Sequence, residues 1–243
     1  MQENAMFSGV VFRLGPVEVT GTVITTWAII ALLSLVAWLI SRDLHVDKPS
    51  RLQTLAEGVL NAAEEAIRAV APDHVRLLLP FITTLWIFIV IANLVGLIPG
   101  LHSPTRDLSA TSALALIVFF SVHWYGIRDQ GLSRYLKHYL SPTPLMLPFH
   151  IVSEISRTIA LAVRLFGNML SLETAALLIL VVAGFLAPIP ILMLHIIEAL
   201  VQAYIFGMLA LIYVAGGLQS QQLRAEQQTE PIETDSDKEH SRE

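Results

Sequence analysis

The sequence predicts an all-α polytopic membrane protein: five membrane helices, one amphipathic interfacial helix, and a last pair of helices folded as a long tilted hairpin. Three observations predict it. Hydrophobic residues make up 54% of the chain against 14% charged, and mean hydropathy is +0.64, outside the usage of soluble domains. The apolar residues are gathered into five long runs, each able to cross a hydrocarbon layer of about 30 Å as a helix. Finally, the 15 Lys and Arg residues sit mostly between those runs and form no binding stripe, so no nucleic-acid partner is expected. With no cysteine, disulfides, thiolate metal sites and cysteine nucleophiles are excluded. The start, Met1-Gln-Glu-Asn4, lacks a basic n-region, and the first apolar run is expected to be a retained anchor.

Span one is the uncharged run Val23 to Ile40, extended at its start by Gly21 and Thr22. Leu52, Leu55, Ala56, Val59, Leu60, Ala63, Ile67 and Val70 then recur at three and four, with Glu57, Glu64, Glu65 and Arg68 opposite, which predicts an interfacial amphipathic helix. Span two runs from Leu77 to Leu101 and closes on Gly96-Leu-Ile-Pro-Gly100, where glycine and proline punctuate the exit. Span three is Leu108 to Ile127, with Asp107 placed either to cap it or, with equal weight, to serve an ion path. Span four, His150 to Ala187, is interrupted by Glu154, Arg157, Arg164 and Glu173; span five, Ile191 to Leu218, carries His195, Glu198 and Gln202. Residues 1–218 therefore form one membrane domain. The remainder, 219–243, has seven acids against three bases and is expected to be a disordered aqueous tail.

The basic residues set the orientation. Arg42, Lys48, Arg51, Arg68 and Arg76 lie between spans one and two, Arg128, Arg134, Lys137 and Arg157 around the segment from three to four, and Arg224, Lys238 and Arg242 in the tail. With five spans all twelve fall on one side, leaving Arg13 and Arg106 opposite and Arg164 within the membrane. The N-terminus is expected outside and the C-terminus in the cytoplasm, in a bacterial inner membrane.

Arg164 lies inside the run Ile159-Ala-Leu-Ala-Val-Arg-Leu-Phe-Gly-Asn-Met-Leu170. A guanidinium stays protonated at any accessible pH, and a charge at membrane depth costs about 3 kcal/mol on insertion scales, so it needs a partner. On a helix, Arg164, Asn168 and Ser171 share a face, while Glu173 points about 180° away. Base and acid therefore serve different surfaces. His195, Glu198 and Gln202, spaced by three and four, line one stripe of the last helix. An antiparallel hairpin bending near Gly184 and Pro188 brings Arg164 level with Gln202 and Glu173 level with His195. That makes two polar levels at different depths, one a permanent cation and one titratable, as a path for a small ion with a charged barrier would have.

Arg164-Leu-Phe-Gly-Asn-Met169, preceded by Glu154-Ile-Ser-Arg157 and followed by Glu173, His195 and Gln202-Ala-Tyr-Ile-Phe206, resembles subunit a of the F-type ATP synthase. The resemblance extends more loosely from Thr20 to Leu218 and includes Asn93 with its Leu-Ile-Pro, and Thr105-Arg-Asp-Leu-Ser-Ala-Thr111. It implies a non-catalytic, ion-translocating stator subunit with no cofactor. Its implied partners are the c-ring, the peripheral-stalk b subunits, the lipid bilayer and a transported H⁺ or Na⁺. It further implies that Arg164 faces the ring carboxylate, that Glu173, His195 and Asn93 line the outer half-channel, that Gln202 supports the arginine level, and that Glu154 belongs to the inner half-channel. Glu198, an acid not found throughout the family, is expected to supplement or replace His195 as a carrier. Gly167 is expected to allow close packing against the ring.

Two other classes fit less well. A secondary ion-coupled transporter with a midplane Arg/Glu/His site would show paired repeats and interrupted spans in both halves, whereas the polar residues here concentrate in the last two spans. An intramembrane hydrolase needs a nucleophile with a base, and Ser171 has no histidine partner in its own helix. His195 and Glu198 lack a second nearby histidine and an HExxH pattern, so no metal is expected. His123, before Trp124 and Tyr125, marks a span end, and His74 and His150 are expected at the interface.

Overall fold

The computed structural model describes residues 10–14, 17–42, 44, 50–98, 101–131, 147–183 and 189–229. Strands β1 (Val10–Leu14) and β2 (Val17–Thr20) are followed by α1 (Gly21–Arg42), α2 (Arg51–Val70), α3 (Val75–Leu94), α4 (Leu108–Gln130), α5 (Leu147–Ala183) and α6 (Ile189–Thr229). All of these helices except α2 are long and apolar enough to span a bilayer, which makes this a multi-pass membrane protein.

The antiparallel β1–β2 pair, with Arg13 opposite Glu18 and Leu14 opposite Val17, was not predicted. Its signal is the alternation of Val-Val-Phe-Arg-Leu and Val-Glu-Val-Thr about Gly15-Pro16, a hairpin pattern masked by the stronger apolar run behind it. The last helix also departs from expectation. It continues to Thr229, beyond Leu218 where the polar tail was expected to begin. Gln219 to Thr229 is rich in Gln, Leu, Arg, Ala and Glu and has neither Gly nor Pro, so nothing in it stops a helix already nucleated in the membrane. The rest of the tail and the hairpin bend at Gly184 and Pro188 lie outside the described residues, as do Lys48, Arg134, Lys137, Lys238 and Arg242 of the orientation argument.

Local chemistry explains the helix starts. Ser50 caps α2 by accepting the Gln53 N–H at 3.2 Å, and Asp107 caps α4 as expected, accepting the Ser109 N–H at 2.9 Å. The second Asp107 oxygen accepts from Thr22 Oγ1 at 3.0 Å, tying the start of α1 to the start of α4. Helix α3 ends at Leu94 and a 3-10 turn, Val95–Leu97, carries the chain out, earlier than the predicted Leu101.

The core lies between α3, α4, α5 and α6. Leu78, Ile82 and Ile89 recur at helical spacing on α3 and bury against Phe206 and Leu211 of α6 and Leu165 of α5. Trp86 of α3 lies over Gly207, where an added Cβ would overlap the indole, and stacks on Tyr204 with ring centroids 6.1 Å apart. Helix α1, by contrast, buries only Gly21 and Ile29 and leaves Trp27, Leu35 and Trp38 exposed, as a lipid-facing helix does. On α2, Ala63 and Ile67 are buried while Leu52, Leu55 and Val59 remain exposed on the predicted apolar face.

Candidate functional site

The polar residues of the membrane domain fall into three groups. The first surrounds Glu173, whose side chain is only 9% exposed. Its Oε1 accepts the Ser103 N–H at 3.2 Å and its Oε2 accepts from Arg106 Nη1 at 2.9 Å. His102 Nδ1 stands 3.7 Å from Oε2. Gly96 makes room for this carboxylate, because a Cβ there would sit 2.8 Å from Oε1. The backbone turn that carries Ser103 and Arg106 is the 3-10 segment Pro104–Arg106 and the residues before it, held by Ser103 Oγ donating to Ala92 O at 2.8 Å.

That turn links the acid to the last helix. Thr105 Oγ1, touching Ser103 Oγ, donates to Asn93 Oδ1 at 2.7 Å; Asn93 Nδ2 donates to Ala199 O at 3.4 Å. His195 Nε2 meets Asn93 O at 3.2 Å, a contact that requires the hydrogen on Nε2. Asn93 and Thr105 are fully buried, with Ser103 and His195 nearly so. Glu173 and His195 thus meet around one loop as the antiparallel pairing implied, through Ser103, Thr105 and Asn93 and with no direct contact. Glu198 is half-buried one turn from His195 and has no hydrogen bond or ion pair among the described residues.

The second group is Asn168 with Gln202. Asn168 Nδ2 donates to Gln202 Oε1 at 2.6 Å, so Gln202 engages the residue one helical turn beyond Arg164 on the same face. Leu165, Met169 and Leu172 of α5 and Ala199, Ala203 and Phe206 of α6 are buried along these two helices. Gln202 Nε2 is buried with no partner. Arg164 is exposed and forms no hydrogen bond or ion pair among the described residues. A Cβ at Gly167 beside it would meet nothing within 4 Å. The guanidinium, Gly167 and Ser171 therefore lie along an open face between exposed apolar side chains such as Ile159, Val163, Leu177 and Leu178.

The third group lies at the opposite end of the bundle. Glu154 Oε2 stands 3.5 Å from His123 Nε2, and the Arg157 guanidinium lies 5.3 Å from the centre of the Tyr213 ring. His123 was read as a span-end marker, yet it reaches an acid of the candidate path. His74, expected at the interface, is 8% exposed, since the turn Pro72–His74 folds it under the start of α3. Among the described residues no cluster of His, Asp and Glu could hold a metal.

Sequence reasoning missed Arg106, His102 and Ser103. The available signal was that a buried carboxylate needs a cation. Only Arg13 and Arg106 lie on the predicted outer side, and Arg106 enters span three.

Comparison with known proteins gives one family. The family model described as ATP synthase A chain matches residues 23–215. ATP synthase subunit a 2 of Pelobacter propionicus is 63% identical over 213 residues, covering 88% of this chain and 93% of that protein. ATP synthase subunit a of Legionella pneumophila (strain Corby) is 55% identical over 226 residues, 93% of this chain and 98% of its own. ATP synthase subunit a 1 of Hahella chejuensis is 63% identical over 207 residues, covering 85% and 88%.

Proposed function

The chain belongs to the ATP synthase A chain family, and from that membership we propose that it is the ion-translocating stator subunit of an F-type ATP synthase, with two offset half-channels separated by Arg164. It is a non-catalytic membrane subunit, and ATP chemistry takes place elsewhere in the complex. One observation carries the proposal: Arg164 stands exposed, with no partner among the described residues, on an apolar helix face beside an open Gly167. A cation left there in lipid is costly, and a passing rotor carboxylate removes the cost.

In this mechanism a ring carboxylate leaves lipid and approaches Arg164. An opposite charge within about 4 to 6 Å lowers a carboxyl pKa by roughly 1 to 3 units, so the carboxylate releases its ion to one half-channel. Re-entering hydrocarbon as an unpaired anion costs several kcal/mol, so the carboxylate first loads an ion from the other half-channel. Rotation is thereby tied to transfer. The same fixed charge repels a cation passing directly between the half-channels. The membrane potential supplies about 2.3 kcal/mol per charge per 100 mV.

The outer half-channel comprises Glu173, His195 and Asn93, with Glu198 as a further acid near the histidine. Gln202 and Asn168 hold the level next to the arginine, and Glu154 lies toward the inner side. The N-terminus is outside and the C-terminus cytoplasmic, in a bacterial inner membrane. The c-ring packs on the Arg164 face and the b subunits attach elsewhere. The imidazole of His195, a side chain able to carry a proton, favours protons over sodium.

The test is ATP-driven acidification of proteoliposomes holding the whole complex, with and without sodium and an uncoupler. Acidification that is abolished by the uncoupler and independent of sodium is expected. Arginine is required over lysine because a buried ammonium can shed its proton and a guanidinium cannot. Arg164→Lys should therefore abolish ion-driven synthesis, and normal synthesis by that variant contradicts the proposal.

A further inference from the structure

We propose that Arg106, with His102 beside it, is the latch of the outer half-channel: a tethered cation that occupies the ion's place on Glu173 and swings aside when an ion enters. This role rests on the proposed half-channel at Glu173 and goes beyond it, since it assigns a gate to residues outside the two long helices.

The two oxygens of Glu173 are not equivalent. Oε1 accepts a fixed backbone donor, the Ser103 N–H, and is backed by Gly96, where no side-chain atom fits. Oε2 accepts from a side chain that can move, Arg106, at 2.9 Å. Exposure rises along this line: Glu173 is 9% exposed, Arg106 34% and His102 47%. An ion coming from water on this side meets His102 first, then Arg106, then the acid.

A guanidinium cannot pass a proton on, since it does not deprotonate, so Arg106 conducts only by moving. A resting place is at hand. Its Nη1, bound to Oε2, is at the same time 3.1 Å from His102 Nδ1, and the side chain extends, 34% exposed, from a short 3-10 turn. With its lone pair toward Arg106, His102 Nδ1 holds the guanidinium as an acceptor when Oε2 lets it go, and it lies 3.7 Å from that oxygen. Among the described residues, Asp107 is engaged by Thr22 and the Ser109 N–H, α3 contributes the Asn93 amide, and α6 contributes His195 and Glu198. Arg164 and Arg106 therefore differ in kind: the first is a permanent barrier with no partner among the described residues, the second a barrier paired with the acid it guards.

The test uses the intact ATP synthase in proteoliposomes and reads ATP synthesis against pH on the Arg106 side, with pH on the other side fixed. An opposite charge within about 4 to 6 Å moves carboxyl titration by roughly 1 to 3 units. Without a tethered cation competing for Oε2, an ion loads there at lower outer concentration. Arg106→Gln should move the half-maximal outer pH alkaline by about one unit or more and lower the maximum, with the inner-side profile unchanged. Arg106→Lys, which keeps the charge, should restore the wild-type profile. An unchanged profile in an assembled Arg106→Gln complex overturns the latch, as does an equal shift in both variants.

Should Arg106→Gln fail to assemble, the double variant Arg106→Gln/Glu173→Gln decides. Removing both partners of a buried pair is far less harmful than stranding one, so the double variant should assemble, and its failure to do so overturns the latch. Arg164→Lys run in parallel separates the two levels. Normal coupled synthesis there removes the half-channel mechanism itself, whereas an inactive Arg164→Lys with an unmoved Arg106→Gln profile removes only the latch.

Discussion

Of the four charges on helix α5, Arg164 and Glu173 stand nine residues apart and in opposite surroundings. Glu173 is buried and held by Arg106 and the Ser103 N–H, with space cut for it by Gly96. Arg164 is exposed on an apolar face with no partner among the described residues and open space at Gly167. Both are equally costly in hydrocarbon if left alone. The acid's cost is met inside the chain, and no described residue meets the base's. In the proposed assembly the outside partner is the rotor.

The largest expected effect breaks the exposed half of this comparison: Arg164→Lys brings ion-driven ATP synthesis to background while the chain still inserts, measured as synthesis in inverted membranes. Next is the buried half. The triple variant Glu173→Gln, His195→Ala, Glu198→Gln should slow proton flux on the order of a hundredfold, the low end of what positioned acid–base groups contribute, measured per assembled complex because Glu173→Gln strands Arg106. Wild-type flux in that variant removes these groups from the path.

Two glycines sharpen the same contrast with smaller effects. Gly207 is filled by Trp86 of the chain itself, so Gly207→Ala should destabilise the α3–α6 contact by about 1 to 3 kcal/mol and reduce the amount of folded chain in the membrane. Gly167 is open within the chain, so Gly167→Val should leave that amount unchanged and instead reduce the fraction co-purifying with the rotor. Loss of folded chain in both variants would mean that the Arg164 face is packed internally after all.

Much of the architecture was legible because a bilayer imposes a simple rule on composition. Every predicted span reappears as a helix, and α2 keeps the predicted apolar stripe. The Asp107 cap was readable from one side chain ahead of an apolar run. The partner of Gln202 was not read from spacing: it is Asn168, one turn from Arg164 on the same face. Spacing gives the level of a residue to about a turn, while Leu165 and Phe206 fix the last few ångströms by their shapes. The ion pair of Glu173 was hidden for a different reason. Its partner sits in a short turn between α3 and α4, where no periodicity points, and only the need to neutralise a buried acid could have nominated Arg106. The extension of α6 to Thr229 was hidden by charge composition, which outweighed helix-forming residues in the reading of the tail.

A density map of the assembled complex at side-chain resolution tests the central claim most directly. The account predicts the Arg164 guanidinium within about 4 to 6 Å of a rotor carboxylate, the range in which it displaces the ion, with Gly167 at the closest approach of the two helices. A guanidinium lying among lipid tails, or turned back to an acid of its own chain, would contradict it.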